Sequence, residues 1–418
     1  MKVFKFGGAS VKDASSVRNV ASVLQRFRGE KILVVVSAMG KMTNELEKLT
    51  ENHFSKKENW LPVLEGIKNY HLKIMQELFS DSANSVFGEV NTIFSSLEKI
   101  VSDAAAHDYN CEYDQIVSLG EVISTKIVAA YLNSSGSDTT WLDAREMIAT
   151  DSTFREGKVN FELTEKNIQK KIPSLKNIAL TQGFIGRTPE GLTTTLGREG
   201  SDYTAAILAY CTNAENVTIW KDVPGVMNAD PKWFDETKLI DHLSYQDAIE
   251  LSYYGATVIH PKTIKPLQNK KIPLYVRSFL HPEKPGTVIN ENQSTLPVPC
   301  FIFKIDQILL SISPKDFSFI VEENFSDIFH TLSEHRVKIN VMQNSAISFS
   351  VCVDNDVKKI PKLIETLRKK FRVLYNDKLE LITIRYYDQA TIDRVCIGKK
   401  ILLEHKSRYT VQLVVKNK

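Results

Sequence analysis

Five cysteines, Cys111, Cys211, Cys300, Cys352 and Cys396, are too few and too scattered for a framework: they are odd in number and no two lie closer than 44 positions. That excludes a disulfide scaffold and a zinc cluster and predicts buried apolar thiols. Charge of one sign is lacking too. Fifty-three Lys and Arg against fifty Asp and Glu leave a formal net charge of +3, so no nucleic-acid partner is expected, because such surfaces neutralise many phosphates at once. No uncharged apolar run approaches the roughly 18 residues that could span a bilayer, and Met1 to Ser10 holds no signal-peptide core, which predicts a cytoplasmic protein with no membrane partner. The common short motifs are also missing: no Walker A loop, no G-x-G-x-x-G, no kinase H-R-D or D-F-G, no H-E-x-x-H.

What is present is a chain of 418 residues, 43% hydrophobic, long enough for two or three domains with full cores. Over residues 1–290 strand-like and helix-like stretches alternate, which predicts an α/β architecture with a mostly parallel sheet. Lys2 to Phe6 reads as a strand, Gly7-Gly8 as a turn, and Ser10 or Asp13 as the cap of a helix carrying Val17, Val20, Leu24 and Phe27. Ile32 to Val36 is continuously aliphatic, as in a parallel strand covered on both faces. Thr43 to Leu132 reads mainly as helices. Further strands are expected at Trp141-Leu142, Ile178 to Ile185, Thr193 to Leu196, Val217 to Trp220 and Ile272 to Val276. Helices are expected over Ser201 to Cys211 and from Ser244, where Ser244-x-x-Asp247 resembles a capping box. His281 to Pro299 is polar and proline-rich and marks a boundary between a first domain, 1–290, and a second, 300–418. The second reads as βαββα followed by shorter strands, that is, α+β ferredoxin-like units.

Glycine-bearing turns at strand ends are the first chemical signal: Lys5-Phe6-Gly7-Gly8, Gly183-Phe184-Ile185-Gly186 and Leu196-Gly197-Arg198-Glu199-Gly200-Ser201-Asp202. Such turns let backbone approach an anion, and helix N-termini beyond them favour phosphate. Lys5 is placed to reach over the first turn and offset charge on a transferring phosphoryl group; the alternative is a surface lysine at a strand end. Asp202 either partners the helix dipole or orients Lys5 and helps hold Mg²⁺. Ile116, Leu119, Ile123 and Ile127 form one helical stripe, which turns Glu121 towards water or a pocket. Arg198 could grip a carboxylate, while Ser37 and Thr43 either donate hydroxyls or are a strand-end residue and an N-cap.

Five ordered blocks carry a resemblance: Lys5 to Val11, Val35 to Gly40, Leu196 to Tyr203, Asp222 to Val226 with Ala229-Asp230-Pro231, and Gly255 to Pro261. Together they resemble aspartate kinase, a family whose catalytic domain has the amino-acid-kinase fold, a three-layer sandwich, and is followed by paired ACT modules. The resemblance implies transfer of the ATP γ-phosphoryl, with Mg²⁺, to the side-chain carboxylate of L-aspartate, the first step towards lysine, threonine and methionine. Lys5 and Asp202 would be catalytic. Ser37, Thr43, Glu121, Arg198 and Ser201 would bind aspartate, Arg198 its α-carboxylate and Glu121 its ammonium. Lys5, Gly7, Gly8, Lys221, Asp222, Met227, Asp230, Lys232 and Thr257 would lie along the nucleotide, with no metal ligated by protein alone. A homodimer through the ACT modules is implied as well.

Several positions depart from the family's commoner pattern. Glu199 replaces a small or neutral residue, Lys221 a Thr or Ser, Met227 a Tyr, Lys232 an Arg and Thr257 a Lys. The regulatory loop reads Asn340, Gln343, Asn344, Ser345 and Ala346, which predicts weak or absent inhibition by lysine. Other readings are a glutamate or carbamate kinase of the same fold, or a non-catalytic amino-acid sensor.

Overall fold

The computed structural model describes every residue except 56–59, 82, 173–176, 235, 257–258, 293–297 and 317. The chain divides into two units: Met1–Val226, Leu239–Ile249 and Val258–Ser294 form the first, and Met227–Lys238, Glu250–Thr257 and Thr295–Lys418 the second.

An eight-stranded sheet organises the first unit, in the order Thr139–Leu142, Ile178–Gln182, Ile32–Val36, Lys2–Phe6, Asn216–Lys221, Leu274–Ser278, Thr287–Asn290, His242–Ser244. All its pairings are parallel except that of Thr287–Asn290 with Leu274–Ser278. The middle strands are buried along their length because helices cover both faces, which is why Ile32–Val36 needs no polar alternation. On one face Phe4 and Phe6 pack on Trp220, the Phe6 ring stacked at 6.0 Å. Helix Ala14–Gln25 closes that side, its start capped by Asp13 accepting from Ser16 N–H. The capping box at Ser244 also forms, with Asp247 N–H donating to Ser244 Oγ at 3.0 Å.

Between residues 42 and 134 the described residues are mainly helical, as the sequence indicates, but the stripe around Ile116 belongs to two helices, Tyr109–Val117 and Leu119–Ser134. Together they form a run long and apolar enough to cross a membrane by length and composition alone, and 72% of its most apolar window is buried inside the protein. The second helix is buried almost all round, from Gly120 to Leu132. A helix with no solvent face has no phase to read. Strands Thr287–Asn290 and His242–Ser244 and helices Phe161–Lys171 and Pro261–Asn269 lacked a sequence signal; the first is four residues long and sits inside the proline-rich stretch.

The second unit is one six-stranded antiparallel sheet in the order Ile339–Asn344, Phe349–Asp354, Cys300–Pro314, Phe371–Arg385, Thr410–Asn417, Lys399–Lys406. Its two 15-residue strands, Cys300–Pro314 and Phe371–Arg385, run through both halves and shift register between Lys304 and Leu309. On either side of that irregularity lie separate cores. One contains Leu310, Val351 and Leu363 under helices Glu322–Glu334 and Ile360–Lys370; the other contains Ile382, Ile392 and Leu413 under helix Gln389–Cys396. These are the α+β modules expected, fused edge to edge into a continuous sheet.

Candidate active site

The register of the first sheet builds the site. Phe6 pairs with Val36 and with Trp220, and Val36 with Gln182, so four parallel strands end together. Ligands of open parallel sheets bind outside these carboxyl ends, where the chain order reverses about a central strand. Here that strand is Lys2–Phe6, and the turns that follow the four ends are Gly7-Gly8, Ser37-Ala38, Gly183 and Asp222.

Side-chain alternation then selects the residues. Lys5 pairs with Ile219, and Lys221, two positions on, projects from the same face, opposite the aromatic Phe6 and Trp220. Helix Gly200–Thr212 lies there and brings Asp202 in its first turn. Lys5 Nζ stands 2.5 Å from Asp202 Oδ1 and Lys221 Nζ 3.7 Å from Asp202 Oδ2. Both Lys5 and Asp202 are buried. A methyl added at Gly7 would stand 3.3 Å from Lys5 Nζ, so the ammonium lies over the glycine turn. Gly8 has a different reason to be glycine: a Cβ would meet Gly40 O at 2.6 Å and Ala38 O at 2.9 Å.

Glu121 is 2% exposed. Of the two outcomes its phase allowed, water and a pocket, the structure excludes water. Oε1 accepts from Ala38 N–H at 3.4 Å, and Oε2 is buried with no hydrogen-bond partner. Burial pushes its carboxyl up to about 8, against weaker lowering by the Ala38 N–H. Gly120 beside it is explained by packing, because a Cβ would meet Leu46 Cδ1 at 2.8 Å. Ser37 is tied to the same corner: its N–H donates to Phe6 O at 3.1 Å and its carbonyl accepts from Ser124 Oγ at 2.7 Å. Thr43 lies in the first turn of helix Met42–Phe54 and is not its N-cap, a position held by Lys41 two residues earlier.

The arginine turn is held from behind. Asp114, wholly buried, accepts from Thr195 N–H at 2.8 Å, Thr195 Oγ1 at 2.7 Å and Arg155 N–H at 2.9 Å. This fixes the end of strand Thr193–Thr195 just before Leu196, and nothing in the sequence around Asp114 announces it. Gly183 leaves room for Ser201, whose Oγ would lie 2.5 Å from a Cβ there. Arg198 is exposed, and Glu199 is left-handed at φ 53° immediately before the helix. Asp222 is exposed at the end of the Lys221 strand. Met227, Asp230 and Lys232 belong to the segment Met227–Lys238 of the second unit, where Asp230 Oδ1 caps a turn by accepting from Lys232 N–H at 2.9 Å. Thr257 lies outside the described residues.

The site therefore joins a lysine–aspartate pair over a glycine turn to a helix N-terminus and a buried, half-satisfied glutamate. Such an array can neutralise a phosphoryl group in flight and receive a cation beside it. The comparisons agree with that chemistry. The chain is 32% identical over 381 residues to bifunctional aspartokinase/homoserine dehydrogenase 1 of Arabidopsis thaliana, a match covering 88% of this chain and 42% of that protein's length. It is 29% identical over 416 residues to lysine-sensitive aspartokinase 3 of Escherichia coli, covering 96% and 89%. Among solved structures, E. coli aspartokinase III in complex with aspartate and ADP superposes with a TM-score of 0.85 at 26% identity, over 99% of this chain and 96% of that one. The model of the amino acid kinase family matches residues 1–278, and the chain belongs to that family.

Proposed function

We propose that this chain is an aspartate kinase, transferring the γ-phosphoryl of ATP to the side-chain carboxylate of L-aspartate to give 4-phospho-L-aspartate. The observation that carries the reading is the Lys5–Asp202 pair folded over Gly7 at the ends of four parallel strands. Lys5 offsets charge on the phosphoryl oxygens in the transition state, and Asp202 holds the lysine in line. The N–H groups opening helix Gly200–Thr212 and the Gly7-Gly8 turn receive the phosphates. No covalent intermediate on the protein is needed, since positioning and charge stabilisation supply most of the rate.

Glu121 takes the aspartate ammonium. Its unpartnered Oε2 is buried and raised in pKa, so a cation arriving beside it restores the ionised form. Arg198 takes the α-carboxylate, with Ser37, Thr43 and Ser201 around the reacting carboxylate. Among the described residues no group of three or more His, Cys, Asp or Glu could hold a metal. A magnesium ion held by one carboxylate, Asp202, and otherwise by nucleotide oxygens and water fits this donor set, as hard cations at phosphate sites require. Bound there, it would supply further neutralisation of the phosphates.

The test is ADP release coupled to a reporter, with ATP and aspartate supplied together. Aspartate-dependent release supports the reading; nucleotide binding without release would favour a sensor, and release with glutamate or carbamate instead would move the chain to another branch of the fold. Lysine added to the same assay is expected to inhibit weakly. Pairing of two chains through the second unit is proposed too, supported by the exposed Phe319, Met342 and Ile347, and a dimer mass by light scattering checks it.

A further inference from the structure

In the two-stranded sheet of the first unit, Thr193–Thr195 pairs with Ile185–Arg187, and the backbone groups of its other edge need partners. They find them mostly in side chains. Gln115 Oε1 accepts from Thr193 N–H at 3.1 Å and Gln115 Nε2 donates to Thr193 O at 2.9 Å, as a neighbouring strand would. Asp114 Oδ2 accepts from Thr195 N–H at 2.8 Å, and Thr195 O accepts from Gly157 N–H at 2.8 Å. Two consecutive residues of helix Tyr109–Val117 thus take the place of a strand along this edge.

Asp114 also reaches past that edge. It is wholly buried, and besides Thr195 N–H it accepts from Thr195 Oγ1 at 2.7 Å and from Arg155 N–H at 2.9 Å. The arginine turn lies against Arg155 and Glu156: a Cβ at Gly197, whose φ is 74°, would meet Arg155 O at 3.2 Å and Glu156 Cγ at 3.3 Å. One carboxylate therefore grips both the strand that enters the turn and the loop beneath it. The same helical run carries Glu121 seven residues on, about 10 Å along the axis at 1.5 Å per residue, with Ser118 N–H donating to Asp114 O at 3.3 Å where the run breaks. Glu121 and the arginine turn, assigned above to the ammonium and the α-carboxylate of one substrate, are thus fastened to each other through Asp114 and Gln115.

We propose that Asp114, seconded by Gln115, is a positioning residue for aspartate: it sets the place of Arg198 relative to Glu121, so that both ends of the amino-acid backbone are met at once. This rests on the aspartate-kinase reading and on the roles it gives Glu121 and Arg198. Asp114 acts through the turn, not by touching substrate. Asp114→Ala leaves two backbone N–H groups and a hydroxyl without their acceptor, so the strand end and the loop are no longer held together. Aspartate KM then rises about tenfold or more, because a small displacement of a substrate-positioning group is costly, while ATP KM stays within about twofold. Asp114→Asn keeps an oxygen for both N–H groups and turns its amide towards Thr195 Oγ1, and it recovers most of the affinity.

The experiment measures kcat and the KM values of aspartate and ATP on the full chain for Asp114→Ala, Asp114→Asn, Arg198→Ala and the double variant of Asp114→Ala with Arg198→Ala. The expected result is the rise in aspartate KM in Asp114→Ala, carried by KM more than by kcat, and recovery to within about threefold of the unsubstituted protein in Asp114→Asn. Added to Arg198→Ala, Asp114→Ala should cost less than about twofold more, because the group it positions is already gone. Effects that multiply in the double variant would overturn the proposal, and so would an aspartate KM unmoved by Arg198→Ala. An equal rise in ATP KM would overturn it too, by assigning the effect to general loosening. If Asp114→Ala shows no cooperative thermal transition, Gln115→Leu and Thr195→Val take its place in the same cycle, each expected to raise aspartate KM severalfold and leave ATP KM alone; an unchanged aspartate KM in both counts against the proposal. Failure of the kinase reading is distinct: the unsubstituted protein would then show no aspartate-dependent ADP release at all.

Discussion

The two units treat buried polar groups in opposite ways. Among the described residues, the buried side-chain polar atoms without a hydrogen-bond partner lie in the first unit, and two that have no ion-pair partner either, Glu121 Oε2 and Glu199 Oε2, belong to carboxylates. In the second unit the buried Gln307 belongs to a polar cluster that is closed on itself, with half-buried Asn340 and Lys304 and exposed Asp354 around it. Asn340 Oδ1 accepts from Lys304 Nζ at 2.8 Å, and Asn340 Nδ2 donates to Gln307 Oε1 at 2.8 Å and Asp354 Oδ1 at 2.9 Å. Gln307 Nε2 also donates to Asp354, at 2.9 Å. These bonds hold the Asp354 carboxyl below the usual carboxylate range against a desolvation that would raise it, whereas Glu121, nearly unsatisfied, is raised. A satisfied network serves the register shift in the sheet; an unsatisfied one costs stability and is explained by a ligand that completes it.

That contrast can be broken, and the largest effect is expected at Lys5. Lys5→Met should lower kcat by about two orders of magnitude or more while the thermal transition stays cooperative, the signature of a lost transition-state charge partner. Near-normal turnover would return Lys5 to a structural role.

Glu121 gives the sharper test because its effect has a sign. The folded value of about 8 lies above the ordinary 4.5, so the proton is held more tightly in the folded state. The associated stability is full below about pH 4.5 and declines as the pH rises towards 8. An ammonium requires the ionised form, so aspartate affinity should increase as pH rises from 6 to 8, by at most about tenfold per unit for one linked proton. Glu121→Gln should raise the aspartate KM and flatten that profile; a profile that keeps its slope in the variant would exclude Glu121 as its source.

On the other side, Asn340→Leu removes the amide donor to Gln307 Oε1 and one of the donors to Asp354 Oδ1. It should cost about 0.5–1.5 kcal/mol in the unfolding of the second unit, with kcat unchanged. Loss of turnover without loss of stability would mean the network is not merely structural. The smallest effects separate two kinds of glycine. Gly66→Ala, in a helix with nothing within 4 Å of the added carbon, should stabilise by up to about 1 kcal/mol. Gly120→Ala meets Leu46 at 2.8 Å and should destabilise, as calorimetric Tm values will show.

Much of the first unit was legible because its signals are local. The Lys5–Gly8 turn, the Asp13 cap, the Ser244 box and the aliphatic run Ile32–Val36 each depend on neighbours within a few residues. Glu121 was found, but by an argument about helical phase that fails once Ser118 breaks the helix and burial surrounds the second half. The first half of Cys300–Pro314 carried no sequence expectation, because Lys304, Asp306 and Gln307 interrupt its apolar residues, yet Gln307 is 1% exposed and bonded to Asn340 and Asp354 across the sheet.

Residue types and their order therefore determined the alternation of elements, the glycine turns and the set of charged side chains available for phosphoryl chemistry, since propensity and spacing act at short range. Which charges meet was decided only by the tertiary structure. Lys5, Asp202 and Lys221 are brought together by parallel register and a helix lying across it. Asp114 and Glu121 acquire their importance from burial, which sets the energy of a charge through surroundings drawn from distant parts of the chain.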